Sequence, residues 1–139
     1  MNAVRSTSWL DWAGVALLSA CGAFAALLEA LLVPLYAGSV VVPVAVVMAL
    51  VGNVALPRLA RSLVPSTPAA LAPFAAWLIV MIGFGVLSRP EGDVILPGSP
   101  AAAQFVTYAV LLGGALTGTI TMVALSPPPV TKERASVSR

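Results

Sequence analysis

Four long apolar runs, Trp12–Val33, Val40–Leu56, Ala69–Leu87 and Ala101–Leu125, take up most of the 139 residues, and Glu29 is the single charged residue well inside any of them. An α-helix rises about 1.5 Å per residue, so roughly 20 apolar residues match a hydrocarbon layer about 30 Å thick. The pattern predicts an all-α polytopic membrane protein: one four-helix transmembrane bundle over residues 1–126 and a disordered cytoplasmic tail over 127–139. Pro127-Pro128-Pro129 halts the last helix, and a charged, serine-bearing segment follows. Charged residues make up 9% of the chain, against about 25% in soluble domains. The segments between runs are too short to bury a core of their own. Any chemistry therefore belongs to the bundle, its rim or a partner.

The placement of charge predicts the orientation. Arg5 precedes the first run, Arg58 and Arg61 follow the second, and Lys132, Arg134 and Arg139 follow the fourth; Arg89 alone lies in the connections on the other side. Six basic residues against one put both termini and the Pro57–Pro68 loop in the cytoplasm by the positive-inside rule. An even number of spans agrees with that. These cations are scattered singly on short loops, so they read as orientation signals and not as a nucleic-acid surface.

Leu18-Ser19-Ala20-Cys21 fits a bacterial lipobox, with Arg5 as its basic flank. Asp11 at the entry of the run and the apolar continuation from Gly22 to Leu28 argue against processing, as does the length of the run. Cys21 is expected to be a small, buried packing residue. A single cysteine forms no intrachain disulfide, and without histidine the chain offers no thiolate–imidazole pair or metal cluster.

Prolines and small residues predict how the spans end and pack. Pro34 closes the first helix, Pro43 opens the second, Pro57 stops it, and the third starts after Pro68 with Pro73 near its first turn. Trp9 and Trp12 suit the membrane–water interface, whereas Trp77 falls within the third span. In lipid no hydrophobic drive brings helices together, so close contact must. Gly22 with Ala26, Ala45 with Ala49, and Gly114 with Gly118 each clear a helix face at four-residue spacing, and are expected to serve packing within the bundle.

Glu29 carries the main functional expectation. It lies about one turn before Pro34, in the outer part of the bilayer, and its neighbours Ala25, Ala26, Leu32 and Val33 cannot pair with it. An ionised carboxylate in hydrocarbon costs at least a few kcal/mol, so it must reach water, meet a partner or take up a proton. The favoured expectation is that Glu29 reaches the outer interface and pairs with Arg89 or a lipid headgroup. The other is a proton- or cation-binding carboxylate, or a polar anchor for a partner. Asn53 lies near the opposite face and is expected to donate a hydrogen bond between helices.

The Ser88–Pro100 segment reads as a solvated, turn-rich cap: Arg89-Pro90-Glu91-Gly92 and Leu96-Pro97-Gly98-Ser99 both suit β-turns. Glu91 and Asp93 lack the further oxygen ligands a calcium site needs. A four-span plan with a glutamate in the first span resembles the small multidrug resistance exporters, whose essential carboxylate sits in helix one. Glu29 lies farther out, however, within Ala26-Leu27-Leu28-Glu29-Ala30-Leu31-Leu32, which lacks that family's pattern. In its plan and in Arg89-Pro90-Glu91-Gly92-Asp93 with Leu96-Pro97-Gly98, the chain is similar to a group of small actinobacterial four-span membrane proteins. That resemblance implies the fold and no activity.

The chain shows no histidine, no paired carboxylates within a span, no phosphate-binding loop and no nucleophile elbow. The expectation is a non-catalytic protein of the bacterial inner membrane without cofactor or metal. It would be an accessory or scaffold subunit of a larger membrane complex. The alternative is a homo-oligomeric transporter of lipophilic or cationic solutes with Glu29 as the coupling carboxylate.

Overall fold

The computed structural model describes residues 7–33, 35–37, 40–86 and 101–126. Its elements in chain order are α1 (Trp9–Leu32), the two-residue strands β1 (Tyr36–Ala37) and β2 (Val40–Val41), α2 (Val44–Leu63), α3 (Thr67–Val86) and α4 (Ala101–Leu125). All four helices are long and apolar enough to cross a membrane, with mean hydropathies of 2.1, 1.5, 1.8 and 1.7 over their most apolar 18-residue windows. The protein is a multi-pass, four-helix membrane bundle.

Local chemistry sets the helix starts. Ser8 caps α1: its Oγ accepts from Leu10 N at 3.2 Å, and its own N–H donates to Asp11 Oδ2 at 2.8 Å. This reciprocal cap also puts a carboxylate beside the positive end of the helix dipole, which explains an acidic residue at the mouth of a span. Ser66 does related work for α3, its Oγ accepting from Ala69 N at 3.4 Å.

The third helix starts at Thr67, before Pro68 and not after it, and both boundaries of α2 differ from the sequence expectation. Val40 and Val41 belong to β2, paired antiparallel with β1 in the register Tyr36↔Val41 and Ala37↔Val40, and α2 begins only at Val44. Pro43 has no N–H to donate and precedes the first helical residue with φ −82° and ψ 41°. At the other end Pro57 does not stop α2, which runs on to Leu63. Pro57 is fully buried, and membrane helices tolerate proline where neighbours pack over the freed carbonyl. The expected Pro57–Pro68 loop therefore contracts to Val64–Ser66, and Arg58 and Arg61 ride on the last turns of α2. The Ser88–Pro100 cap and the 127–139 tail lie outside the described residues.

The helices pack as a rhombus. α1 lies chiefly on α3 and α2, α4 lies chiefly on α2, α2 also meets α3, and α3 touches α4 more sparsely. α1 and α4 thus take opposite corners. The main core gathers Ala26, Ala30 and Val33 of α1, Ala45 and Ala49 of α2, Phe74, Trp77 and Met81 of α3, and Val106 and Val110 of α4. A second cluster, Val15, Ala60, Val64 and Ala69, closes the end where α2 turns into α3.

Candidate functional site: a carboxyl group buried between α1 and α3

The small residues act in two distinct ways. At Gly22 the backbone of α3 comes close enough that an added Cβ would lie 2.6 Å from the carbonyl oxygen of Pro73. This is the close backbone approach expected of a glycine face, and it joins α1 to α3, with Ala26 fully buried one turn on. Gly114 and Gly118 serve otherwise. A Cβ on Gly114 would fall 2.6 Å from the outer ring atoms of Trp77, and one on Gly118 would collide with the ring of Phe74. These two glycines are sockets for aromatic rings. The rings themselves stack at 6.3 Å between centroids and 14° between planes, and keep α3 and α4 from closing further.

The Trp77 ring is thereby fixed from two sides, and its indole N–H points to α1. Trp77 Nε1 donates to Glu29 Oε2 at 2.7 Å, with both side chains buried. Glu29 is 0% exposed and ranks among the largest fully buried side chains of the protein. Its other oxygen, Oε1, is also buried and accepts no hydrogen bond among the described residues. The interface position expected for Glu29 is thus replaced by an interior one. The physical reason is that Trp77 supplies a donor inside the bundle, where a hydrogen bond to a carboxyl oxygen is stronger than in water. The expected partner Arg89 lies outside the described residues.

Asn53 borders the same aromatic assembly from α2. Its Nδ2 lies 3.2 Å from the Cβ position of Gly114, the same position that Trp77 approaches. The sequence predicts a hydrogen bond between helices; Nδ2 instead donates to Ala49 O at 3.0 Å, one turn back on α2 itself. Glu29 bonded to Trp77, and Trp77 and Asn53 both beside Gly114, bring residues of all four helices together around one aromatic ring. Trp77 was the member that sequence reasoning left without a role. The signal was available: an indole in mid-span, away from the interface, needs an acceptor, and Glu29 is the lone carboxyl group inside a span.

Cys21 departs from expectation as well. It is exposed and lines a groove of about 440 Å³ between α1 and α2, together with Ala25, Val47, Gly52 and Ala55. A second groove of about 240 Å³, bordered by Gly14, Leu18, Leu59 and Ser62, continues along the same seam. Among the described residues no cluster of three or more His, Cys, Asp or Glu side chains could hold a metal ion. Comparison of the chain with protein-family models, curated proteins and solved structures yields no match.

Proposed function

We propose that this protein is a non-catalytic, associating component of the bacterial inner membrane, an accessory or scaffold subunit that receives an apolar transmembrane helix of a partner along the α1–α2 seam. Both termini face the cytoplasm in this reading, on the strength of the charge asymmetry. The observation that carries it is the groove. Among the residues that line it, Gly14, Leu18, Cys21 and Ala25 on α1 and Met48, Gly52, Ala55, Leu59 and Ser62 on α2 follow one another at alternating intervals of four and three. That is the spacing at which a third helix inserts knobs between two others, and the small residues at Cys21, Ala25, Gly52 and Ala55 leave room for it. The internal glycines Gly22, Gly114 and Gly118 are already met by α3, whereas nothing lies within 4 Å of the Cβ position of Gly52 in the seam.

Cys21, the chain's one cysteine, is a native probe of the seam. A photo-crosslinker attached to its thiol in intact membranes should give one stoichiometric protein adduct, identified by mass spectrometry. The adduct should disappear when Gly52 is replaced by a bulky leucine. Adducts with lipid alone would sink the proposal. A Cys21–Cys21 product with no other protein would favour the rival, a homo-oligomeric transporter coupled through Glu29. That rival draws on one specific observation, the Oε1 in the bundle interior that has no partner among the described residues.

A further inference from the structure

The bundle uses half of the hydrogen-bonding capacity of Glu29. Oε2 takes the Trp77 indole N–H at 2.7 Å, while Oε1 is enclosed and has no partner among the described residues. What surrounds the group narrows what Oε1 can bind. The other charged side chains among the described residues are Asp11 at the start of α1 and Arg58 and Arg61 on the last turns of α2, all at the far end of the bundle from Glu29. α3 and the described part of α4 bring no charge at all. Toward Glu29, α3 presents the Trp77 N–H, and the Asn53 amide of α2 is engaged by Ala49 O. The titratable Cys21, Tyr36 and Tyr108 are exposed on the outside.

A hard metal cation needs several oxygen ligands, and a partner's ammonium or guanidinium needs a path that a 0% exposed side chain does not offer. A proton needs one oxygen and almost no space. We infer that Glu29 is a proton-binding site, holding an exchangeable proton on Oε1 while Trp77 N–H bonds Oε2. The proton converts the carboxylate into a neutral acid, and the charge of the assembled outer half of the bundle falls to zero among its described residues. Release of the proton requires α1 and α3 to part and admit water. This inference is independent of what binds the α1–α2 seam.

The test leaves the residue itself intact. Glu29, Glu91 and Glu133 are the three glutamates of the chain, so Glu91→Gln with Glu133→Gln leaves Glu29 as the sole glutamate. The full chain with its glutamate carboxyl carbon labelled, in lipid bilayers at neutral pH, should show the carbonyl signature of a protonated carboxylic acid by infrared spectroscopy and solid-state NMR. Trp77→Phe should shift that signature by removing the indole bond. A carboxylate signature at neutral pH would overturn the inference, whether the counter-charge were a cation or water. In a second sample, Trp9→Phe with Trp12→Phe makes Trp77 the sole tryptophan, excited apart from the tyrosines. Its emission should change as alkali removes the proton and stay constant in the Glu29→Gln variant. The same change in that variant would refute the coupling between the two side chains.

Discussion

Replacing Gly22 by alanine puts the close backbone contact between α1 and α3 to a quantitative test. The added Cβ would stand 2.6 Å from Pro73 O, 3.3 Å from its carbonyl carbon and 3.6 Å from its Cα. These are backbone atoms of α3, so no rotamer change clears them. Ordinary contact begins near 3.4 Å, so α1 and α3 must part by about 0.8 Å along that line. Overpacking of this kind costs about 1–3 kcal/mol, or about a 5- to 150-fold loss in the folding equilibrium. Alanine's better helix propensity returns at most about 1 kcal/mol. Gly52→Ala supplies the reference, because nothing lies within 4 Å of its Cβ position. Reversible unfolding in bicelles, followed by denaturing detergent titration, should rank Gly22→Ala below wild type and Gly52→Ala at or above it. The Glu29–Trp77 bond, about two turns along the same seam, should weaken in the first variant and survive in the second. Equal stability of the two alanine variants would refute the reasoning, since it would mean that α1 and α3 do not meet at Gly22.

Other substitutions follow from the same geometry. Trp77→Phe keeps an aromatic body but removes the donor to Glu29, leaving a buried carboxyl group with no hydrogen bond, at a cost of about 1–3 kcal/mol in the same assay. Gly14→Ala meets only the tip of Leu63, which is half-exposed and able to swing away, so its loss should be well below that of Gly118→Ala, whose Cβ would strike the Phe74 ring. Cys21 should react with lipid-soluble maleimides in intact membranes and resist membrane-impermeant, water-soluble ones, because it faces outward from the middle of α1; the reverse pattern would contradict its placement. Topology reporters fused after Val64 and after Arg139 should both read cytoplasmic, and one at Gly98 should read from the opposite side; ends reporting from different sides would overturn the orientation.

What the amino-acid sequence by itself determined was the count of spans, the membrane as solvent, the glycine positions that had to meet something, and the solitary standing of Glu29. These properties belong to hydropathy and spacing along one dimension, and they survive almost any way of turning the helices about their axes. The tertiary structure decided the rotations. It turned Cys21 outward and Glu29 inward, although both sit on α1 among apolar neighbours. It let Pro57 pass through α2 under cover of the core, and it gave Gly114 and Gly118 aromatic rings to hold where close backbone approach was expected. In water an amphipathic stripe would have announced which face lies inside. In lipid the outside is as apolar as the inside, so helix rotation is set by shape complementarity and by the few polar groups that must find each other. Here that pair is the carboxyl group of Glu29 and the indole N–H of Trp77, 48 residues apart in the chain and 2.7 Å apart in the bundle.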